Sequence, residues 1–309
     1  MQEFEVHRRD GSYQPGEIDT AFRRFGLVVL KAYLAPHTRH DIRDILTDQL
    51  ETCRTRDGVL KLPQYPAADF LLGDILSIRK LSKYDYVFFS RELLEIARGI
   101  LRSPELVYYG DSSTQFDAAA RGFHKDNVER KDAKTADWEG DYGIIRCAFY
   151  CEDHSRHSGG LKVRLSSHNL EATRSRSSPD LISHNAGRAV DVRSEYGDLV
   201  IWTMRLTHSG NFRKLRFLPQ VCLHPRIEML LPDALALKEE MRRYFMSCAF
   251  ARPGVHLDHY VANMTRRDAD YRPYLERARN APEAEAFLAT RNVILRQPAD
   301  YYGRLDTPA

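Results

Sequence analysis

The chain has 309 residues, is 43% hydrophobic and 29% charged, and carries a formal net charge of +3. It has no basic tail and no block of like charge, which argues against a nucleic-acid partner, and no apolar run approaches the roughly 20 residues of a membrane helix. The opening "MQEFEVHRRDGSYQ" lacks the apolar stretch of a secretory signal, and the five cysteines (Cys53, Cys147, Cys151, Cys222, Cys248) lack metal-finger spacing, so the expectation is free thiols in a reducing cytoplasm.

Residues 17–25, "EIDTAFRRF", predict a short helix stopped by Gly26. "LVVL" at 27–30 predicts a buried strand, because four apolar residues follow one another and two are β-branched. A second helix is expected from Pro36, with a Thr38-x-x-Asp41 capping box and Ile42, Ile45, Leu46 and Leu50 on one face. A third is expected over 90–102, capped by Ser90. From about residue 104 the texture becomes β-rich. Segments 106–109, 143–151, 160–165, 188–193, 198–203 and 217–223 are short and separated by turn residues, which suggests a sandwich or barrel. Helical patterns return at 232–246, 269–280 and 282–295. The reading is a single domain over 1–309, α+β, with a β core at about 104–225 flanked by helices.

"GFHKDN" at 122–127 places His124 and Asp126 two apart, so both side chains leave an extended strand on the same side. "GDLVIWT" then predicts a buried strand, and "MRLTHSGN" puts His208 just beyond it. Two imidazoles and one carboxylate form the facial triad that suits Fe(II) and leaves three positions for a bidentate co-substrate and dioxygen. A lone H-x-D pair is a weak signal. The strand context of both halves and the arginines downstream supply the weight.

These segments together resemble the phytanoyl-CoA dioxygenase family of Fe(II)/2-oxoglutarate oxygenases. "FRRFGLVVLKAYLAPHTRHDIRDIL" (22–46) resembles that family's opening, "GFHKDN" its H-x-D strand, "HSGGLKVRLSSHN" (157–169) the segment usually ending in Pro-Gly-Ser-His, and "GDLVIWTMRLTHSGN" (197–211) the distal-histidine segment. "FRKLRFLPQVCL" (212–223) resembles the arginine strand that follows. The match covers about residues 20–225, with "RLSSH" in place of Pro-Gly-Ser-His and Phe123 where tryptophan is frequent.

The resemblance implies a double-stranded β-helix (jelly-roll, cupin-like) core, with Fe(II) held by His124, Asp126 and His208 in the barrel mouth. It implies 2-oxoglutarate and O2 as co-substrates, a basic residue on the 2-oxoglutarate 5-carboxylate, and a small-molecule substrate. Arginine suits that basic role because its planar fork pairs with a carboxylate bidentately. Arg216 is favoured over Arg213, since in a strand over 215–223 it would share a face with Leu218, Gln220 and Cys222. Ser113 and Gln115, before the H-x-D pair, are co-substrate candidates. His168 is expected to be structural and Trp202 to be core. Arg205 is open between substrate and solvent. Lys162, Arg164 and the "TRSRSS" segment are expected to be solvated more than substrate-facing. Asp126 argues against a halogenase, where a small residue replaces the carboxylate. The alternatives are a non-catalytic jelly-roll binding protein and a zinc hydrolase built on the same three ligands.

Overall fold

The computed structural model describes residues 2–39, 41–44, 69–72, 87–116, 122–127, 136–169, 187–210, 212–238, 244–267 and 282–296. In chain order the strands are β1 (Glu5–Val6), β2 (Leu27–Leu30), β3 (Asp69–Leu72), β4 (Leu106–Tyr108), β5 (Ser112–Phe116), β6 (Ile144–Tyr150), β7 (Leu161–Arg164), β8 (Ala189–Asp191), β9 (Leu199–Thr203), β10 (His208–Gly210), β11 (Tyr244–Ala251) and β12 (Val293–Leu295). The longer helices are α1 (Pro15–Phe25), α2 (Arg91–Leu101), α3 (Val255–Arg267) and α4 (Pro282–Ala289).

The larger sheet runs β1-β2-β9-β6-β11-β4-β12, with β5 also on β11 and β3 on β5; the smaller sheet is β10-β7-β8. Alternation along the strands makes two cores. Leu27, Val29, Ala148, Tyr150, Val200 and Trp202 of the larger sheet pack with Leu161 and Val163 of the smaller one, filling the interior. Val28, Leu30, Cys147, Phe149, Leu199 and Ile201 point the other way, onto Phe22 of α1 and Leu93, Leu94 and Ala97 of α2. This is a jelly-roll core with helices on the outer face of its larger sheet.

The early elements follow local chemistry. Pro15 opens α1, where its missing N–H costs nothing. Ile18, Ala21, Phe22 and Phe25 form its buried stripe, and Gly26 ends it in the left-handed region at φ 81° with its N–H on Phe22 O. Ser90 caps α2, accepting from the Leu93 N–H at 3.3 Å. The helix expected from Pro36 is present over 36–39 and 41–44, with Ile42 buried; Ile45, Leu46 and Leu50 lie outside the described residues, as does the helix expected at 269–280.

Three expectations at the C-terminal end are corrected. Residues 217–223 form no strand: Phe217 is 76% exposed, and the stretch belongs to an excursion closed by the Leu215–Ala236 bridge. Of the helix expected over 232–246, the described residues show only a 3-10 turn at Asp233–Leu235, and Tyr244 onward is β11, paired with β6 on one side and β5 on the other. The β core thus extends past 225. The helix expected over 282–295 stops at Ala289, and Asn292 at φ 54° turns the chain into β12. Among the described residues no helix is long and apolar enough to cross a membrane.

Candidate metal centre

His124 and His208 form an isolated antiparallel bridge at the edge of the smaller sheet. Each backbone N–H donates to the other's carbonyl, at 2.9 and 2.8 Å. This reciprocal pairing brings the imidazole centroids to 4.3 Å. Asp126 is held two residues on by its N–H on Met204 O at 3.0 Å. One ligand atom from each of His124, Asp126 and His208 lies within 4.8 Å of the others. His124 Nε2 is 3.6 Å from Asp126 Oδ1, and His208 Nε2 is 3.5 Å from Asp126 Oδ2. The His208 side chain is 7% exposed while those of His124 and Asp126 are about a quarter exposed, so the cluster opens to one side.

The tautomers are set by the backbone. His124 Nδ1 lies 3.0 Å from Gly122 O and His208 Nδ1 lies 3.0 Å from Leu206 O. A carbonyl only accepts, so both Nδ1 atoms carry the proton and both Nε2 atoms keep their lone pairs toward the cluster. Two oriented imidazoles and a carboxylate on one open face are the donor set for a divalent transition metal, and for Fe(II) in particular.

Lys125, between the two ligands, is 1% exposed. Its Nζ donates to Ser167 O at 2.6 Å and Arg205 O at 2.5 Å, tying the H-x-D segment to the turn before His208. Burial, aided by the nearby Arg205 charge, pulls its ammonium down to about 7. The same turn is held again by the Thr207 N–H on Ser167 Oγ at 2.9 Å. His168 has the expected structural place: its imidazole Nε2 is 3.1 Å from Arg23 O, and it packs under Gly26, where an added Cβ would fall 2.5 Å from Nδ1. In "RLSSH", Ser166 takes the left-handed conformation at φ 62°.

The other candidates divide. Ser113 on β5 faces Ser247 of β11, their hydroxyls 3.0 Å apart. Gln115 pairs in register with Phe245 and Phe70. The strand expected to carry Arg216 is the correction: Arg216 is exposed in a bend of the 212–238 excursion, its backbone N–H on Leu235 O, and no strand carries it into the barrel. Arg213 is tied outward to Leu231 O and Asp233. Trp202 is core, at 2% exposure. Arg205 faces neither solvent nor the opening: it is buried over the rings of Trp138 and Tyr142 and donates to Gly140 O and Glu139 O. Lys162 is not solvated either. It lies on the outer side of the smaller sheet, 2.7 Å from Asp191 and 2.8 Å from Glu228. Arg164 stacks on Phe123, beside His124, at 4.5 Å.

Two residues near the triad escaped the sequence reading. Arg146 projects from β6 with Nη2 2.8 Å from Asp111 and Nε 3.7 Å from Asp126. Burial alone would disfavour its charge, but Asp111 and then Asp126 outweigh that and hold its pKa well above the ordinary value. Asp111 also accepts from the Tyr260 hydroxyl at 3.0 Å. A charged residue inside the apolar strand "IIRCAFY" was the available signal.

No family model matches this chain, and no curated protein does. Solved structures do. EctD from S. alaskensis with bound Fe is 15% identical, with 75% of each chain covered and a TM-score of 0.53. HygX from Streptomyces hygroscopicus, with nickel, 2-oxoglutarate and hygromycin B bound, is 14% identical over 75% of this chain and 85% of that one, at 0.51. The non-heme alpha ketoglutarate dependent epimerase SnoN from nogalamycin biosynthesis is 12% identical over 79% and 87%, at 0.51. At these identities the likeness establishes the fold: this chain shares the jelly roll of proteins that bind iron or 2-oxoglutarate.

Proposed function

We propose that this chain is an Fe(II)- and 2-oxoglutarate-dependent oxygenase acting on a small molecule, akin to the phytanoyl-CoA dioxygenase family, with hydroxylation as its simplest reaction. The observation that carries this is the convergence of His124 Nε2, Asp126 and His208 Nε2, with both Nδ1 atoms committed to carbonyls. That donor set fits Fe(II) and leaves open the face that a bidentate co-substrate and dioxygen require. Iron with 2-oxoglutarate and dioxygen supplies oxidation of a substrate C–H bond, while 2-oxoglutarate leaves as succinate and carbon dioxide.

The protein's part is to hold and orient. Ser113 and Gln115 are proposed co-substrate contacts; Ser113 and its partner Ser247 present paired hydroxyls from β5 and β11. The arginine for the 5-carboxylate is sought elsewhere than Arg216. Arg242 and Arg243 stand immediately before β11 and are candidates by sequence position alone. Both arginines lie outside the described residues. Asp126 as the carboxylate favours oxygenation over halogenation. SnoN, described as an epimerase, supports keeping the reaction class broader than hydroxylation.

The test is spectroscopic and chemical. Anaerobic protein with Fe(II) and 2-oxoglutarate should develop a weak visible metal-to-ligand charge-transfer band, and a substrate panel should elicit succinate release. A metal site that fills with Zn(II), gives no such band and releases no succinate would favour the zinc-hydrolase reading.

A further inference from the structure

We propose that Arg146 is the positioning residue that holds Asp126 to one-oxygen coordination of the metal, an inference that rests on the iron-centre reading above. The Arg146 side chain is 13% exposed, and two of its three nitrogens are already used. Nη2 donates to Asp111 at 2.8 Å, and Nη1 donates to Ser247 Oγ at 3.2 Å. Nε is buried without a hydrogen-bond partner and lies 3.7 Å from Asp126 Oδ2. A buried donor left unmade is costly, so such a group in a folded interior calls for a reason.

Asp126 supplies one. Its two oxygens face the two imidazoles, Oδ1 toward His124 and Oδ2 toward His208. A carboxylate that gives one oxygen to a metal keeps the other for a hydrogen bond, and Arg146 Nε is an unpartnered donor facing that second oxygen. Ligating carboxylates are ordinarily held by such outer partners. A second oxygen engaged by arginine is withheld from the metal, which keeps a coordination position for co-substrate or dioxygen.

Arg146 is itself braced on several sides. Asp111 precedes β5 and takes the Tyr260 hydroxyl of α3 at 3.0 Å; Ser247 of β11 is backed by Ser113 of β5 at 3.0 Å. A planar guanidinium fixed at both Nη atoms has its Nε direction fixed as well. The simpler role, neutralising Asp111, needs only Nη2 and leaves Nε unexplained.

The experiment uses the full chain without iron, titrated anaerobically with Co(II), followed by its visible ligand-field bands, and with Fe(II) by chelator competition. Arg146→Met should weaken both metals by about 10- to 100-fold, the usual effect of losing such an outer partner, and should change the shape and intensity of the Co(II) bands. Arg146→Lys keeps a charge opposite Asp111 without the Nε donor. It should fold if Arg146→Met does not, and it should show the same band change with a smaller loss of affinity. In an Asp126→Ala background Arg146→Met should add no further loss. Wild-type affinity and wild-type bands in both variants would overturn the assignment while leaving the iron centre standing. Weakened affinity with unchanged bands would overturn it in favour of plain structural support. A wild-type chain that takes up neither metal would overturn the iron centre and this role together.

Discussion

Acidification should expose the strut beneath the distal histidine. His168 is half-buried, its imidazole pressed under Gly26 with Nε2 on Arg23 O. Burial, only partly offset by that carbonyl, pulls its pKa from 6.5 down to about 4. The folded state therefore holds fewer protons than the unfolded chain between those values, and stability falls as pH drops from 6.5 toward 4. At about 1.4 kcal/mol per unit the full penalty is about 3 kcal/mol, and integrating the linkage from pH 7 to pH 5 gives a loss of about 2 kcal/mol from this residue alone. His224 and His256 are also depressed by burial, so a fall in the wild type proves nothing by itself. The measurement is a difference: urea unfolding of metal-free protein at pH 7 and pH 5, for wild type and for His168→Gln, which keeps a donor for Arg23 O and does not titrate. The variant should lose about 2 kcal/mol less on acidification than the wild type. Equal losses would refute the buried neutral imidazole. The turn that His168 terminates also supports the His208 segment, through Ser167 O on Lys125 and Ser167 Oγ on the Thr207 N–H, so metal affinity should weaken over the same pH interval.

Three further outcomes are expected. His208→Ala should abolish iron-dependent 2-oxoglutarate turnover while leaving far-ultraviolet circular dichroism intact; turnover and iron affinity near wild type would remove His208 from the site. In chloride buffer, product mass spectra should show added oxygen or lost hydrogen, and a chlorinated product from the unmutated chain would contradict the role given to Asp126. Arg216→Ala should leave the apparent 2-oxoglutarate constant close to wild type, because that side chain is exposed. A rise of about two powers of ten or more, the cost of a buried carboxylate losing its partner, would restore Arg216.

The legible parts of the site were those whose logic is local. The i, i+2 spacing of His124 and Asp126 needs nothing beyond strand geometry. His208 was placed by the apolar run before it, now β9, followed by a turn. The misread strand over 217–223 came from an apolar run of the same kind. "FLPQVCL" reads as a strand, but only a partner makes one, and the excursion between β10 and β11 leaves Phe217 and Leu218 exposed. The opposite error befell β11. "ALALKEEMRRYFM" is rich in helix formers, yet Tyr244 onward lies between β5 and β6, where backbone pairing on both sides overrides local propensity.

The sequence alone determined the candidate ligand types, their spacing, the Gly26 stop that aims β2, and the alternation that gives the larger sheet two apolar faces. Each depends on residues within a few positions of one another. Tertiary structure decided what depends on distant partners. It set His124 opposite His208, gave each imidazole a carbonyl that fixes its tautomer, and brought Arg146 and Asp111 to the side of Asp126. It buried Lys125 and Lys162, which composition would leave in water, because distant segments cover them and supply carbonyls or carboxylates to their ammonium groups. Backbone pairing and charge compensation act between residues far apart in the chain, so only the folded structure could assign them.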